Sequence, residues 1–389
     1  MKKATVMGSL VLDITMQPES KEKKMLAEFI GQGKVTNLSG VSFYPGGCVG
    51  NTGMALKKLG VPVTLCGNTG DDFPGRVLKT LISESGALPD INIYASFPTS
   101  VGIAITPAGM DKISFFLKGA SQQYTSADAS RMPADTDLFH FGYPPTMESL
   151  YSDGGEELEK LFRSVKSLGV TTSLDTALPA AGSAHSRVDW KPILKKVLKY
   201  VDIFVPSIEE CLFMLDKEAY KNRVSQHPGE DIALIVSDDE IRSIADTFLE
   251  FGAKIVLLKL GMKGLYLKTA TVLKNLGRAF GETAEPWEGK ELRIFPVPVS
   301  EVVSTTGAGD TAIAGFLAAV MHGDTPETAL SAAVYTASRC VMSKDTTSLI
   351  EGYEMIREKA LKTKHNFSFN PDQTLWHYRA EADLYERNR

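Results

Sequence analysis

Along most of the chain, short continuous apolar runs alternate with longer stretches in which apolar residues recur at three- and four-residue spacing. The runs predict strands at 4–7, 63–66, 138–141, 170–174, 203–205, 255–258 and 265–267. The spaced stretches predict helices over 51–59, 75–83, 156–167, 192–200, 208–215 and 241–251. Strands without a polar face, separated by amphipathic helices, predict a mostly parallel sheet buried on both sides. The fold class is α/β.

Two segments break this rhythm. Residues 14–45 are charged and then rich in Gly and Ser, with no crossover helix. Residues 91–118 hold two β-rich runs, 100–106 and 113–117, around a turn at Pro107-Ala-Gly109, which resembles a hairpin. Together they predict a small β-rich flap on the α/β core, of the kind that excludes water during transfer chemistry. From 308 to about 360 the pattern is helical, broken at Gly323-Asp-Thr-Pro326. Residues 1–366 therefore read as one domain with inserted flap segments. The polar, aromatic tail 367–389 reads as an extension packed against the body or a sister subunit.

Composition adds mainly exclusions. The chain has 389 residues, ample for a large core, and a formal net charge of −5 with interspersed signs. That balance gives no general case for nucleic acid or an anionic membrane as partner. No span approaches the ~20 apolar residues of a membrane helix. The four cysteines, Cys48, Cys66, Cys211 and Cys340, are scattered without a CxxC pair, so buried thiols in a reducing compartment are expected. A cytoplasmic location follows as the expectation.

The chemistry concentrates in Ser304-Thr-Thr-Gly-Ala-Gly-Asp310, which runs into an apolar helix. Gly307 and Gly309 bracket Ala308 where an irregular segment becomes helical, so backbone N–H groups face outward at the positive end of a helix dipole. Asp310 stands in that first turn. An acid there complements the dipole of any helix, but a plain cap needs neither glycine. Beside an anion hole, a carboxylate can take the proton from an attacking hydroxyl, the arrangement of phosphoryl transfer to an alcohol.

A second constellation is Pro45-Gly-Gly-Cys-Val-Gly-Asn-Thr-Gly53. Gly46 and Gly47 let a ligand approach the backbone, and Asn51 offers both donor and acceptor, a mixture suited to a polyhydroxylated substrate. Asp13 is expected at the carboxyl end of the first strand, where open α/β sheets bind ligands. Ser207 and Glu210 fit the S-x-x-E capping box, and Glu210 is also a candidate to organise hydrated Mg²⁺. Lys259-Leu-Gly-Met-Lys-Gly264 ends another strand with a tight glycine turn, either a nucleotide contact or a hairpin. The GxGxxG dinucleotide fingerprint is absent, which argues against a nicotinamide oxidoreductase.

Taken in order, these residues resemble the ribokinase-like carbohydrate kinases, the PfkB family, over about residues 4–362. Gly46-Gly47 with Asn51 is similar to its amino-terminal signature and Thr306-Gly-Ala-Gly-Asp310 to its carboxyl-terminal one. Gly67-Asn-Thr-Gly-Asp-Asp72, Phe139-His-Phe-Gly142, Ser173-Leu-Asp175 and Leu260-Gly-Met-Lys-Gly264 fall where the family has strand-end motifs. The resemblance implies a three-layer αβα sandwich with a small β lid at about 14–45 and 91–118. It implies ATP-dependent phosphorylation of a small sugar or polyol, with Asp310 as base and the amides at Gly307, Ala308 and Gly309 as anion hole. Asp13, Gly46, Gly47 and Asn51 would hold the acceptor. Lys259, Gly261, Gly264, Thr306 and Ser338 would flank ATP, and Glu210 would serve Mg²⁺. It also implies a homodimer through the lid.

This chain departs from the family pattern at three places. Ser207 replaces the usual Asn before Glu210. Ser304 replaces the Asp that often anchors a loop or monovalent cation six residues before the base, which leaves potassium dependence open. Thr176-Ala-Leu-Pro179 replaces the Asp-x-Asn-x-Arg pattern. A nucleoside acceptor, with Phe43, Tyr44, Phe115 and Phe116 as candidate base platforms, and a catalytically silent sugar-binding relative are the rival readings.

Overall fold

The apolar run at the amino end forms β1 (Ala4–Gly8), every residue of which is buried. The computed structural model describes residues 1–19, 33, 35–105, 113–180, 182–281, 284–364 and 372–388. Beyond β1 the strands are β2 (Val11–Pro18), β3 (Leu38–Gly46), β4 (Val63–Gly70), β5 (Leu88–Tyr94), β6 (Val101–Ile105) and β7 (Ile113–Leu117). There follow β8 (Leu138–Gly142), β9 (Thr171–Leu174), β10 (Ile203–Phe204), β11 (Ile255–Lys259), β12 (Leu265–Thr269) and β13 (Glu291–Ile294). The tail supplies β14 (Trp376–Arg379) and β15 (Leu384–Arg387).

Among the described residues, eleven strands make one sheet in the order β14-β15-β13-β12-β11-β10-β9-β8-β1-β4-β5. From β5 to β11 all neighbours are parallel, and from β11 to β14 they are antiparallel. The period-two alternation sends successive side chains to opposite faces. Val6, Leu65 and Leu257 join Ile313 and Phe316 in one core, while Met7, Phe139, Phe141 and Leu258 join Phe162 and Phe248 in the other. Helices cover both faces, giving the three-layer αβα sandwich.

The helix Glu156–Ser167 shows why its sequence is helical. Leu158, Leu161, Phe162 and Val165 bury one stripe, and acids fill its first turn. Asp153, two residues before the N-cap Gly155, accepts the Glu156 amide through Oδ1 at 2.9 Å and so satisfies one of the first-turn donors. The helix Ala308–His322 is different: from Asp310 to Met321 every residue is buried, as its nearly unbroken apolar sequence requires.

Among the described residues the flap is a separate four-stranded sheet in the order β3-β2-β6-β7. β2 pairs antiparallel with β3 and parallel with β6, and β6 and β7 form the expected hairpin. The predicted turn at 107–109 lies outside the described residues. Residues 91–94, expected in the flap, belong instead to β5 at the edge of the central sheet, where β4 supplies their partners. The tail also continues that sheet: β15 pairs with β13, and Trp376 is 1% exposed against Tyr266.

Candidate active site

Gly307 adopts φ +80°, and a side chain there would collide with Thr346. That left-handed turn starts the helix Ala308–His322, whose first amides lack intrahelical partners by construction. Asp310, in this first turn, is 8% exposed. Its Oδ1 accepts from Tyr143 O–H and from Thr52 Oγ1 (3.1 Å), and its Oδ2 accepts from Asn51 Nδ2 (3.1 Å). Burial raises its proton affinity above that of an ordinary carboxyl; the Tyr143 hydrogen bond, Lys259 and the Asn51 and Thr52 hydrogen bonds offset this only in part.

Asn51 and Thr52 come from a wide helical turn, Val49–Gly53, that continues into the helix Met54–Lys58. Asn51 thus serves the Asp310 carboxylate directly, and its own Oδ1 accepts from Thr346 Oγ1 at 3.4 Å. Tyr143 follows the last residue of β8.

On one side of Asp310 lies a cavity of about 710 Å³. Ala308, Gly309 and Asp310 form one wall, Lys259, Gly261 and Gly264 another. Ser338 and Glu210 also line it, and its apolar lining includes Val297, Val302, Val334 and Val341. The Lys259-to-Gly264 segment is the hairpin between β11 and β12, and its Lys259, Gly261 and Gly264 also line the cavity. Thr306 and Gly307 do not line the cavity: the Thr306 carbonyl accepts from Cys340 Sγ at 3.3 Å, and Gly307 backs onto Thr346.

Lys259 Nζ lies 2.7 Å from Asp175 Oδ1, with both side chains nearly enclosed. A Cβ on Gly309 would stand 3.8 Å from the same ammonium. Burial lowers the proton affinity of Lys259, but Asp175, Glu210 and Asp310 more than offset it and keep the lysine cationic.

Glu210 Oε2 accepts the Ser207 amide (2.8 Å) and Thr176 Oγ1 (2.8 Å), and Ser207 Oγ accepts the Glu210 amide in return. The capping box is therefore formed. Among the described residues no group of three His, Cys, Asp or Glu side chains is gathered to hold a metal ion. Glu210 shares the cavity lining with Asp175, Asp231 and Asp310, and one such carboxylate is enough for Mg²⁺ held otherwise by water and phosphate oxygens.

Asp13 is not at the end of β1. Gly8 closes that strand with φ +130°, and Asp13 lies within β2, opposite Tyr44 and Gly102. A Cβ at either Gly46 or Gly102 would overlap its carboxylate, so two glycines make its berth. Gly47, at φ +71°, passes equally close to the Ser9 backbone. Asp13, Gly46 and Gly47 lie outside the cavity lining and lead by the Val49–Gly53 turn to Asn51. Ser304 Oγ accepts the Thr306 amide at 3.2 Å, bracing the loop before the helix.

Thr52, Tyr143 and Gly102 were missed from the sequence. Thr52 and Tyr143 sit in or beside segments singled out for other reasons, but their hydrogen bonds to Asp310 span 258 and 167 residues. No local pattern encodes such contacts. Gly102 is legible only once Asp13 is known to face it.

Residues 1–351 match the model of the pfkB family carbohydrate kinases. The chain is 24% identical to a fructokinase of Rhizobium leguminosarum bv. trifolii, over 88% of this chain and 90% of that one. The structure of Arabidopsis thaliana ribokinase complexed with ribose and ATP superposes with a TM-score of 0.62 at 21% identity, over 92% of this chain and 98% of that one. That of the Methanocaldococcus jannaschii nucleoside kinase, a ribokinase family member, gives 0.61 at 20% identity, over 93% and 99%.

Proposed function

Because the chain belongs to the pfkB family of carbohydrate kinases, we propose that it transfers the γ-phosphoryl group of ATP to a hydroxyl of a small sugar or related polyol. The observation that carries this reading is the place of Asp310. Its carboxylate stands where the nucleotide-sized cavity meets the turn that bears Asn51, with an anion-ready helix terminus on the same residues.

In this reading Asp310 accepts the proton of the acceptor hydroxyl while that oxygen attacks phosphorus in line. The Gly309 amide and the Lys259 ammonium, both at the cavity wall, face the phosphoryl oxygens, where charge develops. Gly307 stands behind that wall, and the Ala308 amide donates to the Thr305 carbonyl at 3.2 Å. Gly261, Gly264 and Ser338 bound the nucleotide, and Thr306 braces the loop. Asp13, Gly46 and Gly47 seat the remaining hydroxyls, with the lid closing over them. Mg²⁺ at Glu210 supplies charge neutralisation on the phosphates when bound.

The lid also supports a homodimer. Three cross-strand rows put only apolar residues on one face: Pro45, Leu12, Val101, Leu117; Phe43, Ile14, Ile103, Phe115; and Val41, Met16, Ile105, Ile113. The innermost pair, Leu12 and Val101, is buried, but Phe43 and Phe115 remain 44% and 57% exposed. Light scattering on the wild-type chain and on Phe43→Lys tests it: a dimer lost in the variant supports the reading, and a wild-type monomer defeats it.

The activity is tested by ADP release from ATP and Mg²⁺ over sugars, sugar phosphates, sugar acids and nucleosides. Turnover with a sugar or polyol supports the assignment. Preference for a nucleoside moves the acceptor to the rival class, for which Tyr44 and Phe116 share the Asp13 face of the lid. Saturable sugar binding without ADP marks a silent relative.

A further inference from the structure

The Asp310 carboxylate already accepts three hydrogen bonds from its own chain. Thr52 and Asn51 donate from the buried turn Val49–Gly53, fixed parts of the core. The third donor differs. Tyr143 reaches Asp310 from the end of β8, and its side chain lines the cavity beside Ala308 and Gly309. It puts a carbon-bound O–H on the base, at the open side of the carboxylate. That is the bond an acceptor alcohol must make before it can lose its proton.

We propose that the Tyr143 hydroxyl occupies the seat of the acceptor hydroxyl on Asp310 and keeps water off the base until an acceptor displaces it. The inference rests on the reading of Asp310 as general base. A water in that seat would give up its proton to Asp310 and attack the γ-phosphorus; the bond from phosphorus to the ADP oxygen would break, yielding ADP and inorganic phosphate. A phenol in the seat prevents this. Burial, together with the neighbouring Asp310 and Asp175, holds the Tyr143 hydroxyl well above the usual phenol range, so it remains a donor. Its backbone follows directly on a fully buried strand, so an acceptor displaces the hydroxyl by turning the side chain and not by moving the backbone.

The test is acceptor-free hydrolysis of ATP by the full chain, with ATP binding verified by equilibrium dialysis. Tyr143→Phe removes the hydroxyl and little else. It should raise acceptor-free phosphate release at least ~10-fold, the scale of one lost hydrogen bond to a charged group. Tyr143→Leu should raise it as well, and Tyr143→Phe combined with Asp310→Asn should return it to the wild-type background. Unchanged hydrolysis in both single variants overturns the proposal, and so does extra hydrolysis that survives in the double variant. A wild-type chain without any acceptor-dependent turnover counts against the kinase reading itself. An active wild type with unchanged variant background counts against the role of Tyr143 alone.

Discussion

Lys259 and Asp175 meet at 2.7 Å, tying the end of β11 to the residue after β9 beside the first turn of the helix that carries Asp310. The pair lies 84 residues apart in sequence and places one cation within the field of three carboxylates, those of Asp175, Glu210 and Asp310. Its cation also lowers the proton affinity of Asp310, which burial raises.

Breaking that pair should cost the fold. Lys259→Met leaves Asp175 buried without its cation, which costs about 3–5 kcal/mol where the carboxyl stays ionised and less where it takes up a proton, as its burial favours. The double variant Asp175→Leu/Lys259→Met should recover much of this, because neither charge is then left alone. Urea denaturation of the two variants checks the order.

The same substitution should move the pH profile. Burial raises the Asp310 proton affinity and Lys259 lowers it. The base works only when deprotonated, so removing the Lys259 charge should shift the acid limb of kcat/KM to higher pH. An acid limb that stays put, or moves to lower pH, contradicts the electrostatic assignment.

Gly102 should be intolerant of any side chain. Gly102→Ala would displace the Asp13 carboxylate that Gly46 and Gly102 accommodate. The expected result is an acceptor KM raised about tenfold, equivalent to roughly 1.4 kcal/mol, with the ATP KM unchanged. Steady-state kinetics with each substrate varied in turn separates the two.

The tail should matter to stability. Trp376 packs edge-on against Tyr266 and donates to Asp238 Oδ2 at 3.2 Å, while Asp238 also pairs with the buried Arg293. Trp376→Ala should cost about 3–5 kcal/mol, the range for a fully buried aromatic. Thermal melting of the variant beside the wild type measures it.

These contacts also mark how far the sequence could be read. Strands such as β1 and β8 were legible because burial on both faces demands unbroken apolar runs, and helices such as Glu156–Ser167 because one stripe is buried. The tail was not: β14 and β15 carry Tyr378, Arg379, Glu386 and Arg387 at a sheet edge, where polar residues find ion pairs rather than core. Asp13 was placed one strand early because Gly8 turns the chain between two β segments only two residues apart. Asp310 was legible from its glycines. Its donors Tyr143 and Thr52, and the partnership of Asp175 with Lys259, depend on tertiary juxtaposition that no spacing encodes.

The central claim is that Asp310 removes the proton from the acceptor. Its most direct test is ADP release by Asp310→Asn with the best acceptor, alongside ATP binding by equilibrium dialysis. Loss of turnover by ~10²–10⁴ with ATP binding retained is the predicted result. Near-normal turnover in the variant would contradict the account.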